Sequence, residues 1–329
     1  MAEGPVDETT ANDDIPPLEL QTKINEFEQE QYDVDICYEG SSKLENNWQE
    51  CTKYPGHKDF IPFTNFGLAN LPDRFRDEDI LKLIKNLACL TVSLQVAYTS
   101  TDRPKYHKNE PYPFAKHAGK DVLRVGSGRV WNVYRNDNEG IPCPCSLCKE
   151  DGLETVEWGR IVVLTALHVV FDKSEAERTK CQLGYNDDRC NPRVLQGCDV
   201  FKRELDSDMC VMECITHDMR LLDVMKFTLD RYKELCDTVS KNYSTDAEER
   251  VVVIVSHPHG LAKRVSIGQL IRCEQLPNSD TKYTYTAPTC PGSSGAPVYL
   301  LGKRNASWST HHHSGGGISG NVSGVGWLG

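Results

Sequence analysis

The feature that most constrains this chain is a succession of short runs rich in Val, Leu and aromatic residues, beginning near Ala88 and interrupted once. Leu90–Tyr98, Val122–Tyr134, Val156–Leu164, Val194–Phe201 and Met209–Ile215 form a first group. Val251–Val255, Arg264–Cys273, Lys282–Tyr285, Pro297–Leu301 and Ser307–His313 form a second. Runs of this length, separated by turn-forming residues, predict strands. Between the groups, Leu221, Leu222, Met225, Leu229, Tyr232 and Leu235 share one face at helical period, which predicts a helical connector over 218–245. A shorter helix is expected over Asp77–Leu87, where an acidic first turn suits the helix dipole. No repeat of 20 to 50 residues is present, so a solenoid or propeller is not expected. Two groups of short strands joined by a helix predict an all-β architecture of two antiparallel barrels.

Composition narrows the function classes. With 37 Lys and Arg against 48 Asp and Glu, the formal charge is -11, and no global counterion release is available to drive binding to nucleic acid. Eleven of the carboxylates lie in residues 1–35 beside a single cation, Lys23, so the tail is strongly acidic and the body near neutral. Residues 1 to about 20 are too poor in apolar groups to order themselves and read as a disordered arm. The nearest approach to a membrane span, Ile161–Phe171, is interrupted by Thr165 and His168 and falls short of the roughly 18 residues a span requires. No membrane partner is expected. The first residues lack the basic start and apolar stretch of a secretory signal, so the expected location is cytoplasmic and the fourteen cysteines are expected as free thiols.

Three motifs carry chemistry. Gly292-Ser293-Ser294-Gly295-Ala296-Pro297 sits in a turn between two strand-like runs, where flanking glycines allow an exposed hydroxyl beside backbone N–H donors. Thr165-Ala166-Leu167-His168 ends a buried apolar run, the setting of a partly desolvated base. Asp208 stands directly before Met209-Cys210-Val211-Met212, where a carboxylate can orient an imidazole, with Asp206 as its rival. Each motif alone is also compatible with an ordinary turn or core residue.

Together, in the order His, Asp, Ser with gaps of 40 and 86 residues, they resemble the chymotrypsin-like (trypsin-like) serine peptidases. The resemblance implies two six-stranded β-barrels over roughly 88–329. His168 and Asp208 would lie in a first barrel (88–217) and Ser294 in a second (246–329), with 218–245 as connector and 1–87 as an acidic extension outside the match. It implies Ser294 as nucleophile, His168 as base, Asp208 as orienting acid, and the N–H groups of Gly292 and Ser294 as the oxyanion hole. Ser293 precedes the nucleophile where trypsins have Asp, so activation by N-terminal cleavage is not expected. Thr289, five residues before Ser294, and His313, ahead of Ser314-Gly315-Gly316, resemble the primary pocket of the glutamyl endopeptidase branch. That implies Glu or Gln before the cut in a polypeptide substrate, with no cofactor. By strand alternation His313 shares a face with His311 and not with His312.

Two further features stand outside the motifs. Cys143, Cys145 and Cys148 could share a structural zinc with Cys181 or Cys190 as fourth ligand, remain free thiols, or form an adventitious disulfide. His257 and His259 flank Pro258 and read as turn residues. The competing class is a catalytically inactive barrel serving as a protein-binding module. The acidic extension is expected either to be disordered or to act as a self-inhibitor, and the oligomeric state is left open.

Overall fold

The computed structural model describes residues 31–33, 36–37, 42–136, 140–152, 156–243, 250–317 and 320–326. The arm expected over residues 1 to about 20 lies outside them. In chain order the elements are β1 (Gln31–Tyr32), β2 (Ile36–Cys37), α1 (Ser42–Gln49), β3 (Ile61–Pro62), α2 (Glu78–Leu90), β4 (Thr91–Val96), β5 (Tyr106–His107), β6 (Glu110–Pro111), β7 (Leu123–Arg135), α3 (Ser146–Asp151) and β8 (Gly159–Ala166). There follow α4 (Lys173–Ala176), β9 (Thr179–Leu183), β10 (Arg193–Glu204), β11 (Met209–Thr216), α5 (Met219–Asn242), β12 (Val251–Ser256), β13 (Arg264–Gln275), β14 (Thr281–Tyr285), β15 (Val298–Leu300), β16 (His313–Gly317) and β17 (Gly320–Ser323).

The fold is all-β, with two antiparallel barrels and few helices. In the first, the order β7-β4-β9-β10-β11-β8 closes when β8 pairs back on β7, with Val130 opposite Val163. In the second, β16-β17-β14-β13-β12-β15 is closed only by a short ladder. Pro297 bridges His312, and the His313 N–H donates to the Ala296 carbonyl at 2.8 Å. Two of the twelve barrel strands, β9 and β17, were not expected. Both are short and carry polar residues on one face, so composition alone gives no strand signal. The expected strand over Ser307–His313 is corrected: Ala306–Trp308 is a 3-10 turn and pairing begins at His313. Backbone hydrogen bonds to β17 set that strand, whose glycines carry no side-chain pattern.

Helix α2 is capped by Asp77, whose Oδ1 accepts from the N–H of Asp79 at 2.7 Å, and it runs three residues past its expected end directly into β4. Helix α5, capped by Asp218, buries Leu222, Met225, Leu229, Tyr232, Leu235 and Val239. The two helices pack on each other and join one apolar core with both barrels. At about 25 cal/mol per Å² of apolar area buried, the α5 stripe fixes the connector to the body. The extension is woven into both barrels: β1 pairs with β16, β2 with β7, and β3 with β13.

Candidate active site

Strand β8 ends at Ala166, and His168 occupies the turn that follows, fully buried. Asp208 stands one residue before β11 with φ of 52°, a left-handed conformation that costs a non-glycine residue roughly 1 kcal/mol or more and that surrounding bonds must hold. Its Oδ2 lies 2.7 Å from His168 Nδ1, and its Oδ1 accepts from the His168 N–H at 3.0 Å. Ser314 Oγ donates to the same Oδ2 at 2.6 Å, while His312 Nε2 lies 2.7 Å from the Asp208 carbonyl. Burial alone would raise the Asp208 pKa. The charge and hydrogen bond of His168, with His312 and Ser314, outweigh it and hold the carboxyl below its ordinary value. An ionised Asp208 fixes the imidazole tautomer with Nε2 facing the cleft. The rival Asp206 is exposed and 3.7 Å from Lys108.

The turn carrying His168 is clamped by a buried ion cluster the sequence did not reveal. Glu175 accepts from Arg103 Nε at 2.6 Å, pairs with Arg124, and accepts from the Phe171 N–H at 2.8 Å. The two guanidiniums then reach the carbonyls of His168 and Val169, at 3.0 and 3.1 Å. Three charged side chains spread across 72 residues have no local signature.

Ser294 sits in the turn before β15, buried at the seam. Gly292, at φ 91°, packs so closely on the 257–260 turn that a Cβ there would lie 2.7 Å from the His257 carbonyl oxygen. Ser127 on β7 joins the barrels: its N–H donates to the Ser294 carbonyl and its Oγ to the Gly292 carbonyl, both at 2.8 Å. Ser294 Oγ donates to the carbonyl of Asp33 at 2.8 Å, and His168 Nε2 carries no hydrogen bond from the described residues. The acid and base are therefore linked while the hydroxyl is engaged elsewhere.

That engagement places residues 31–33 in the cleft. β1 lies antiparallel on β16, with Gln31 opposite Gly316 and Tyr32 opposite Gly315. The Tyr32 ring lies 4.8 Å from the His168 ring. A groove of about 370 Å³ opens beside Tyr32, lined in part by His107, Leu205, Lys282 and Val322. The Asp33 carboxylate is buried against the residues expected to line the primary pocket: His313 Nε2 lies 2.7 Å away, Thr289 Oγ1 donates at 3.1 Å, and Lys53 forms an ion pair. Lys53 Nζ also donates to Thr289 Oγ1 and to Asn321 Oδ1, both at 3.1 Å. Burial raises the Asp33 pKa, but His313 and Lys53 outweigh it and hold the carboxyl far below its usual range. Burial lowers the His313 pKa more than Asp33 restores it. A neutral ring, accepting from Tyr285 OH at Nδ1 (2.7 Å) and donating from Nε2 to Asp33, satisfies every partner.

His311 and His313 stand on one face, against Tyr283 and Tyr285, and His312 points the other way to Asp208. Lys53 and Asn321, which contact each other beside Thr289, and Ser127 at the seam are residues that sequence reasoning missed; a lone Lys, Asn or Ser carries no motif.

Cys143, Cys145, Cys148 and His217 bring four ligand atoms within 4.8 Å of one another. His217 Nε2 lies 3.0 Å from Cys143 Sγ and 3.5 Å from Cys148 Sγ. The fourth member is thus His217, not Cys181 or Cys190: the β11–α5 junction, not a neighbouring loop, faces the insertion. None of the thirteen cysteines whose side chains are described forms a disulfide. Of the two turn histidines, His257 Nδ1 donates to the Leu261 carbonyl at 2.9 Å, whereas His259 Nε2 faces His57 Nε2 across 3.3 Å. His259 lies in the Pro258–Gly260 turn, as read, and there meets His57 of the extension, a partner the sequence could not place.

The chain matches no known protein-family model. It matches no curated protein either. Solved structures similar to it include Deg5, at 14% identity over 78% of this chain and 91% of that one, with a TM-score of 0.40. The Rv3671c protease of M. tuberculosis in its active form matches at 14% identity over 76% and 82%, with a TM-score of 0.38. AlgW, an HtrA-type protease with a decapeptide, matches at 14% identity over 74% and 60%, with a TM-score of 0.37. Among the described residues no helix is long and apolar enough to cross a membrane.

Proposed function

We propose that this chain is a serine endopeptidase that hydrolyses peptide bonds through an acyl-enzyme and accepts an acidic side chain before the cut. The observation that carries this reading is the convergence of the Asp208–His168 pair and Ser294 on a strand laid along β16 with a carboxylate in the pocket. With substrate in that position, Ser294 Oγ attacks the carbonyl carbon and its proton passes to His168 Nε2. The C–N bond breaks as His168 returns the proton to the leaving amine, and water repeats the sequence to free Ser294. Gly292 and Ser294 N–H groups would hold the oxyanion, each worth about 2.7–4 kcal/mol of barrier.

Residues 31–33 then act as a built-in competitor. The hydroxyl proton is directed at the Asp33 carbonyl and away from His168, so the bound segment is held in an unproductive pose. The preference extends from Glu and Gln to acidic side chains in general, because Lys53 places a full positive charge beside Thr289 and His313. Cys143, Cys145, Cys148 and His217 fit one structural zinc that staples the 140–152 insertion to the end of β11.

A fluorophosphonate probe tests the activity. The full chain should label at one serine and the Ser294→Ala chain should not. Equal labelling of both, or of neither even with Asp33→Ala to open the cleft, would favour the inactive binding module.

A further inference from the structure

Cys51, His57, His259 and Cys290 form a second four-residue cluster whose ligand atoms all lie within 4.8 Å of one another, and neither the triad nor the pocket uses it. We propose that these four side chains bind one zinc ion, clamping the N-terminal extension to the turn that carries the nucleophile. The spacings argue for it. Cys51 Sγ lies 3.6 Å from Cys290 Sγ, His57 Nε2 lies 3.3 Å from His259 Nε2, and Cys290 Sγ lies 3.5 Å from His57 Nε2. A tetrahedron built on usual zinc–sulfur and zinc–nitrogen lengths has edges of roughly 3.3–3.8 Å.

The chemistry of the donors agrees. Two Nε2 atoms and two sulfurs point at one centre, and a direct imidazole pair can share only one proton across that contact. Two thiolates neutralise the charge of Zn²⁺, so the loaded site is net neutral, as burial of His57, His259 and Cys290 requires. The surroundings hold the donors in place: the Trp48 ring stacks on His57 at 3.6 Å and meets His259 edge-on at 5.9 Å. Both histidines sit at positive φ, 47° and 54°.

The site joins distant parts of the chain. Two ligands come from residues 51–57; His259 lies within the turn against which Gly292 packs, its N–H donating to the Pro291 carbonyl at 2.5 Å; Cys290 begins the Ser294 turn. Lys53, two residues after Cys51, is thereby aimed into the primary pocket. Only this last consequence rests on the protease reading; metal binding does not.

The test uses the full chain. Peptide-resolved alkylation is followed with zinc present and after chelation. Cys51 and Cys290 should be protected together and become reactive together when zinc is removed. Zinc content should fall by about one ion per chain in His57→Phe, which keeps the stack on Trp48, and be retained in His57→Cys. The Cys143→Ser, Cys148→Ser chain should lose a different ion and leave Cys51 protected. Zinc content unchanged in His57→Phe, a Cys51–Cys290 disulfide in the purified chain, or Cys51 reactivity indifferent to chelation overturns the proposal, whatever the outcome of the labelling experiment above.

Discussion

Single residues decide this site by where they direct a charge or a hydrogen bond. Lys53 is the cation nearest the Asp33 carboxylate, and charge-assisted bonds of this kind are worth about 1.5–3 kcal/mol. Lys53→Met should therefore lower kcat/KM for peptides with Glu or Asp before the cut by about 10- to 100-fold while leaving an uncharged substrate little changed. An equal loss for both substrates would refute the pocket role. Ser127→Ala leaves the buried Gly292 carbonyl and His257 N–H without their partner, at a cost of about 1–3 kcal/mol. Denaturant unfolding should show that loss; an unchanged midpoint would mean the seam has other support. The motifs of His168, Asp208 and Ser294 were legible because each sits at the edge of an apolar run, and the structure pairs the first two at 2.7 Å. Lys53, Ser127, Glu175 and Asn321 were not, because their contacts arise only when segments distant along the chain meet.

At the level of elements, the informative piece is β1. Its pairing with Gly315 and Gly316 copies the way an extended peptide adds to a sheet edge, with main-chain bonds supplying affinity and the pocket supplying selectivity. Replacing Asp33 by Ala removes the carboxylate held by His313, Thr289 and Lys53. Fluorophosphonate labelling of Ser294 should then accelerate at least several-fold; an unchanged rate would show that the segment does not compete. A self-inhibitory extension, one of the two alternatives read from an acidic tail beside a pocket proposed to take an acid, is what that rate tests. Which residues enter could not be read, because β1 (Gln31–Tyr32), with Asp33 just after it, is a two-residue strand too short for any periodicity. Helices α2 and α5, by contrast, were legible to within a few residues because their apolar stripes extend over several turns.

For the whole molecule, buried carboxylates set the response to acid. Asp33, Asp208 and Glu175 all have pKa values pushed up by burial and pulled down further by their cationic or hydrogen-bonding partners, for Glu175 chiefly Arg124 and Arg103. Groups depressed in the folded state contribute stability in full above their ordinary values of 3.8 and 4.5, and that contribution is lost as pH falls through the depressed values. Tm should hold steady down to about pH 5 and fall steeply below it. A Tm that rises on acidification would contradict the assignment of these groups as ionised.

The most direct measurement of the central claim is the cleavage map of a denatured protein mixture digested by the Asp33→Ala chain, with the Asp33→Ala, Ser294→Ala chain as control. Cuts concentrated after Glu and Asp, and absent from the control, are the predicted result. Cuts without acidic preference would refute the pocket, and a control digest identical to the first would refute Ser294 as the nucleophile.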